Sequence, residues 1–345
     1  MKMRTLGRTG VKVSPLCLGA MMFGEWGNPD HDDSVRIIHR ALDAGINFID
    51  TADVYSAGES EEIVAKALRG RRDGVVLATK AVSPMGREPN RSGASRRWIT
   101  MEVENSLRRL GTDWIDLYQM HRPDPTTDID ETLGALTDLV SAGKIRYLGS
   151  STYPASDIVE AQWVAEKRGR ERFVCEQPPY SILVRSIETE ILPVCQKYGM
   201  GVIPWSPLAG GWLTGLFRKG QDVPKTNRTT RAPSRYDLAN PEVQLRLEAV
   251  EQLALLAEEA GISLITMSLA FLLAHPAVTS PIIGPRTMQQ LEDQLEAADV
   301  SLSWDVLDRI DRIVPPGTTV SRDDAGWTPP VLKDASLRRR VRTSG

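Results

Sequence analysis

The sequence predicts an α/β protein built as a (β/α)8 TIM barrel with an N-terminal β-hairpin and extra C-terminal helices. Short apolar runs alternate with longer amphipathic stretches along the whole chain, as βα units do. Roughly eight such repeats fit within 345 residues, and a barrel of this kind takes about 250 residues before insertions. The rival fold, a doubly wound dinucleotide-binding sheet, normally carries GxGxxG between its first strand and helix, and that spacing is absent here.

The elements follow in order. The front end, MKMRTLGRTGVK, has the length and the glycines for a small hairpin. Strands are expected in VSPLCLGA, INFIDTA, GVVLATK, WIDLYQMH, IRYLGSS, FVCEQPPYS, GVIPWSPL and SPIIGP, each an apolar run that ends in polar or turn-forming residues. Between them lie helices with recognisable ends. In DDSVRIIHRALDAG, Asp32 is the expected N-cap, Val35, Ile38, Ala41 and Leu42 share a face, and Gly45 is the stop. The same logic selects ESEEIVAKALRG, WITMEVENSLRRLG, DIDETLGALTDLVSAG, PASDIVEAQWVAEKRG, SIETEILPVCQKYG, PEVQLRLEAVEQLALLAEEAG and TMQQLEDQLEAAD. SWDVLDRIDRIV reads as an extra helix after the eighth unit. Residues 1–345 are expected to form a single barrel domain, with 217–241 a polar insertion after strand seven and 318–345 a C-terminal extension.

With 41% hydrophobic and 25% charged residues and a formal net charge of -3, the composition is that of a soluble globular chain and favours neither a nucleic-acid nor a membrane partner. No opening segment resembles a cleaved leader and no apolar run is long enough to span a bilayer, so a cytoplasmic location is expected. The basic SLRRRVRTSG at the end reads as a solvated tail. Three cysteines without CxxC spacing and four histidines without a HxxxH or HxH pair suggest neither a disulfide framework nor a metal site.

In such a barrel the C-terminal strand ends face the active site. Asp50 and Tyr55 follow strand two, Lys80 closes strand three and His121 closes strand four. A phenol with an ordinary pKa near ~10 is a poor proton donor at neutral pH, and a lysine cation beside it lowers that pKa. Asp50 then holds Lys80 in place and keeps it charged. His121 can donate a hydrogen bond to a carbonyl oxygen and orient it. No side chain supplies hydride, so carbonyl reduction at this site implies a nicotinamide cofactor.

The motifs together resemble the aldo-keto reductases, nearer the bacterial and potassium-channel β-subunit-like branch than the long-loop mammalian reductases. FIDTADVYSAGESEEIVAKAL resembles that family's strand-two signature, ATK its lysine motif, DLYQMHRPD its histidine motif and VIPWSPLAGGWLTG its strand-seven motif. The likeness runs from GRTGVKVSPLCLGAMMFG to IIGPRTMQQLEDQL. It implies Tyr55 as proton donor, Asp50 and Lys80 tuning it, and His121 steering the substrate carbonyl. It further implies a cofactor site of Gly19, Met21, Asp50, Ser151, Gln177, Trp205, Ser206, Leu208, Gly210, Leu213, Gly284, Arg286, Gln290 and Gln294. Ser151 and Gln177 would hold the nicotinamide carboxamide, Trp205 would stack on its ring, and Ser206, Leu208, Gly210 and Leu213 would follow the pyrophosphate. Arg286 and Thr287 open a helix and form a sound anion site, so NADPH is favoured over NADH.

Two positions depart from the family pattern: Thr152 stands where Asn is usual after Ser151, and Gln294 where Asn is usual in the last helix. Met22, Trp26 and Tyr153, with the insertion around Arg231 and Tyr236, are the expected substrate-pocket walls. The expected activity is NADPH-dependent reduction of an aldehyde or ketone, with a small-molecule carbonyl substrate as partner. Two alternatives stay open: an NADPH-binding, redox-responsive partner subunit with little turnover, and a Schiff-base barrel that uses Lys80 as nucleophile. The oligomeric state is not readable from the sequence.

Overall fold

The computed structural model describes residues 1–339, so residues 340–345 of the basic tail lie outside the described residues. Strands β1 (Arg4–Thr5) and β2 (Lys12–Val13) pair antiparallel, with Arg4 opposite Val13, and give the expected hairpin. The hairpin plugs the N-terminal end of a barrel: Leu6 and Val13 are fully buried in a cluster with Cys17, Phe48, Ala78, Leu117, Cys175 and Ile203. Gly7 permits the close approach. At its φ of +54° a Cβ would lie 2.7 Å from the carbonyl oxygen of Gly199.

The barrel then alternates β3 (Cys17–Gly19), α1 (His31–Asp43), β4 (Phe48–Asp50), α2 (Glu59–Leu68), β5 (Val76–Ala81), α3 (Arg96–Leu110), β6 (Ile115–Met120), α4 (Ile129–Ser141), β7 (Ile145–Ser151), α5 (Ala155–Arg168), β8 (Phe173–Gln177), α6 (Ile191–Tyr198) and β9 (Gly201–Val202). After β9 come α7 (Asn227–Arg231), α8 (Pro241–Glu259), α9 (Leu264–Ala274), β10 (Ile282–Ile283), α10 (Met288–Leu295) and α11 (Trp304–Ile313). Strands β3 to β10 are parallel and neighbour one another in chain order, with β10 beside β3. The seam between β9 and β10 is joined by the Ile282 N–H donating to the Pro204 carbonyl and the Thr279 N–H donating to the Val202 carbonyl, both at 2.8 Å. The expected (β/α)8 architecture is therefore present, with all eight strands at the expected places.

Several strands are shorter than their apolar runs, and proline explains two of them. β8 stops at Gln177 before Pro178 and Pro179, and β9 stops at Val202 two residues before Pro204, because proline has no N–H to continue a ladder. The start of α1 also differs from expectation. Asp30, not Asp32, is the N-cap: its side chain accepts from the Asp33 N–H, and Asp32 sits in the first turn, where a carboxylate suits the helix dipole.

SIETEILPVCQKYG is a 3-10 turn (Ser186–Glu188) followed by the shorter α6. Helix α9 has no counterpart in the sequence-based reading. Its LITMSLAFLLA is buried on most sides, so no polar face marks the helical period, and the surviving signal is the Ser263 cap accepting from the Thr266 N–H at 2.9 Å. Within 217–241 the chain is more ordered than a plain polar loop. Thr226 and Thr229 form a capping box at α7, and Tyr236 stacks on Trp212 and Phe217. No single helix among the described residues is long and apolar enough to cross a membrane.

Candidate active site

Side chains alternate inward and outward along a barrel strand, so residues two apart share the interior. The apolar interior layer of Phe48, Ala78, Leu117 and Cys175 is followed two residues later by Asp50, Lys80, Gln119 and Gln177. The polar layer is thus the next storey of the same barrel, at the C-terminal mouth. Lys80 and Gln119 are register partners across β5 and β6. Gly149 on β7 makes room for Gln119, since a Cβ there would lie 2.8 Å from its Cγ.

Lys80 is fully buried. Its Nζ donates to Asp50 Oδ2 at 2.6 Å, to the Thr51 carbonyl at 2.7 Å and to the Tyr55 hydroxyl at 3.2 Å. Asp50 Oδ1 accepts from Gln119 Nε2 at 3.0 Å and from Gln177 Nε2 at 2.9 Å. Both carboxylate oxygens are therefore satisfied, as a buried carboxylate requires. Tyr55 enters from the loop after β4, where a 3-10 turn (Tyr55–Gly58) passes through left-handed backbone at Ser56 and Ala57. Its ring meets that of His121 edge-on at 5.7 Å between centroids and faces Trp26 at 6.0 Å. Asp50, Tyr55, Lys80 and His121 thus converge as expected.

The electrostatics depart from expectation at one group. Burial raises the Tyr55 phenol above its ordinary pKa, and the Lys80 cation, which lowers it, does not reverse the net shift. Burial alone would lower the Lys80 ammonium, but Asp50 and Tyr55 hold it above its ordinary value, so Lys80 is charged. His121 is pushed well below the usual histidine range by burial and by the nearby Lys80 and Arg122 cations, so its imidazole is neutral. Its Nδ1 is buried without a hydrogen-bond partner. An unmet lone pair there costs less than an unmet N–H, which favours the proton on Nε2.

Above this layer lies a cavity of about 490 Å³, a volume ordinary for small-molecule sites. Gly19, Met21, Met22, Trp26, Asp50, Tyr55, His121, Gln177, Trp205, Ser206, Leu208, Gly210, Gly284, Arg286, Gln290 and Gln294 all line it. Of the residues expected in the site, Lys80 lies in the layer below and reaches it only through Asp50 and Tyr55, and Ser151, Leu213 and Tyr153 do not line it either. Ser151 is fully buried and donates from Oγ to the Gln177 carbonyl at 2.9 Å, because β7 turns it toward β8. Leu213 is fully buried in the core beneath the strand-seven loop. Tyr153 packs edge-on against Phe173 and faces a separate cavity with Asp124, Asp128 and Trp327.

Tyr236 and Arg231 act at the margin. Tyr236 donates to the Gly210 carbonyl at 2.8 Å, and Arg231 donates to the Trp26 carbonyl at 3.0 Å while lying over its ring. Gln177 lines the cavity, but its amide nitrogen is directed at Asp50 and Gln119, which leaves only its oxygen for a ligand. Sequence reading missed Gln119, Arg122 and the insertion residues Thr226, Asn227 and Arg228, of which all but Gln119 line the cavity. Gln119 was findable: it stands two residues before His121 and shares the inward parity of Leu117.

The cavity fits a dinucleotide. Trp205 offers an aromatic face, and Arg228 and Arg286 carry no carboxylate partner among the described residues. Gly284, where β10 leads into α10, has open space beside it, and Thr287 caps α10 by accepting from the Gln290 N–H.

The sequence model of the Aldo/keto reductase family matches residues 15–315. Among similar proteins, an uncharacterized oxidoreductase, YrpG, of Bacillus subtilis is 43% identical over 90% of this chain and 95% of its own length. A probable voltage-gated potassium channel subunit beta of Oryza sativa is 37% identical over 91% of this chain and 97% of its own. A putative aryl-alcohol dehydrogenase of Schizosaccharomyces pombe is 36% identical over 86% of this chain and 91% of its own.

Proposed function

The chain belongs to the aldo/keto reductase family and is an NAD(P)H-dependent oxidoreductase, and from that premise we propose that it reduces an aldehyde or ketone to the alcohol, using NADPH and with Tyr55 as the proton donor. The observation that carries the reading is the contact of Lys80 Nζ with both Asp50, at 2.6 Å, and the Tyr55 hydroxyl, at 3.2 Å.

Trp205, Gln177 and the Arg286 turn would hold a nicotinamide cofactor, which when bound would supply the hydride for the carbonyl carbon. Tyr55 gives its hydroxyl proton to the carbonyl oxygen. Its raised pKa keeps that proton in place at neutral pH until negative charge develops on the oxygen. The Lys80 ammonium then stabilises the phenolate left behind, and Asp50 keeps the ammonium charged and aimed. Neutral His121 donates from Nε2 to the same oxygen and fixes its position before transfer.

Lys80 is a poor candidate for a Schiff base, because its amine is protonated and makes three hydrogen bonds. For the cofactor, a guanidinium at Arg286 suits a 2′-phosphate and favours NADPH over NADH.

The test is to follow NADPH consumption and alcohol formation with a panel of aromatic and aliphatic aldehydes. Alcohol formed in equal amount to NADPH consumed supports the reading. NADPH retained tightly with no turnover on any carbonyl would replace it with a binding-subunit role, the kind of role named for the potassium-channel relative.

A further inference from the structure

We propose that Arg122 is a carboxylate subsite beside the reacting carbonyl, so that the preferred substrates of this chain are aldehydes or ketones that carry a carboxylate. The inference deepens the reductase reading and rests on it.

Three arginines line the cleft: Arg122, Arg228 and Arg286. Asp50 is the one carboxylate residue lining it among the described residues, and its oxygens are taken by Lys80, Gln119 and Gln177. About half of the other arginines among the described residues find acidic partners, Arg72, Arg109, Arg185 and Arg218 among them. None of the cleft arginines forms an ion pair among the described residues. Arg228 lies on the insertion after β9 and Arg286 just before α10, and in the reductase reading both would hold the phosphate-bearing end of a dinucleotide. Arg122 belongs to the other end. It directly follows His121, and its charge acts on the Tyr55 phenol.

The side chain is partly used and partly open. Nη1 donates to the His121 carbonyl at 2.6 Å and to Thr152 Oγ1 at 3.3 Å, and the guanidinium carbon lies 5.8 Å from the Trp205 ring centroid. Nε and Nη2 have no partner among the described residues. Those two atoms form one edge of the guanidinium fork, the edge that accepts a carboxylate with two parallel hydrogen bonds. The brace at Nη1 holds the guanidinium in the cleft between His121 and Trp205. Glu176 on β8 acts on Arg122 only through its charge and makes no hydrogen bond or ion pair with it: its buried carboxylate accepts from Ser150 Oγ and the Tyr153 N–H. When a neutral substrate fills the cleft, Arg122 loses water and gains no counter-ion, whereas a carboxylate on the substrate supplies one.

The test compares 2-, 3- and 4-carboxybenzaldehyde with their methyl esters, with NADPH at fixed ionic strength, on the unmodified protein, Arg122→Gln and Arg122→Lys. The expected result is at least one isomer for which the unmodified protein prefers the acid over its ester by ~10-fold or more in kcat/KM, or about 1.4 kcal/mol. In Arg122→Gln that ratio falls to about one, mainly through KM, and Arg122→Lys keeps part of it. A merely bracing Arg122 would lower acid and ester equally and leave the ratio unchanged, which overturns the inference. So does a protein that prefers the ester for every isomer. Absence of turnover with both members of every pair overturns the reductase reading, and the inference falls with it.

Discussion

Replacing Lys80 by Met removes a buried charge and leaves another behind, and the structure sets the size of the loss. Lys80 has no exposed side-chain surface and Asp50 has 3%. The change deletes three hydrogen bonds, to Asp50, Thr51 and Tyr55, and leaves the Asp50 carboxylate with amide donors from Gln119 and Gln177 but no cation. Breaking one side of a buried pair costs about 3–5 kcal/mol. Replacing both partners costs less, because no uncompensated charge remains. Lys80→Met is therefore expected to be less stable than Lys80→Met with Asp50→Asn. The double-mutant cycle, read by denaturant unfolding at pH 7, should give a coupling of ~2 kcal/mol or more. The single variant should also lose about two or more orders of magnitude in kcat, because the phenolate loses its stabilising cation. A Lys80→Met protein within ~1 kcal/mol of the unmodified one, or additive effects in the cycle, would refute the reasoning that this pair is a coupled, desolvated unit.

Arg286→Ala should weaken NADPH binding by about 10- to 100-fold, the worth of one or two charge-assisted hydrogen bonds, and change NADH affinity little. Titration by quenching of tryptophan fluorescence reads both constants, and equal losses would remove the 2′-phosphate assignment. Glu176 is pushed up by burial to about 7 from an ordinary 4.5. A carboxyl raised in the folded state contributes stability that is present below its unfolded pKa and lost as pH rises through the folded value. Glu176→Gln should therefore gain stability relative to the unmodified protein between pH 4.5 and pH 7.5, by up to about 3 kcal/mol, and denaturation midpoints at several pH values read this directly. Gly149→Val should destabilise by about 1–3 kcal/mol and lower activity, because its side chain would displace Gln119 from Asp50.

The barrel was legible because a parallel sheet buried on both faces leaves near-continuous apolar runs, and their polar ends are where chemistry must sit. Phe48 and Ile49 before Asp50, or Leu77 and Ala78 before Lys80, mark the transition from core to mouth without reference to any other element. Residues that depend on three-dimensional parity were harder to read. Ser151 and Tyr153 stand near a strand end in sequence, yet β7 directs Ser151 toward the Gln177 carbonyl, and the left-handed turn at Thr152 sends Tyr153 into another cavity. Helix α9 lacked a polar face, and Arg228 lies in a stretch whose polarity looks like any solvated loop. The sign of the Tyr55 shift was out of reach for a different reason. The neighbouring cation is readable from the sequence, but the degree of burial that opposes it is a property of the folded mouth.

The mechanism turns on proton delivery by Tyr55. The most direct measurement is kcat for Tyr55→Phe on the best aldehyde, with NADPH affinity measured on the same preparation. A fall in kcat of about 10²- to 10⁴-fold, the usual contribution of a general acid, is expected, with NADPH affinity nearly unchanged. A variant that binds NADPH normally and turns over at the unmodified rate would contradict it, and the proton would have to come from another group.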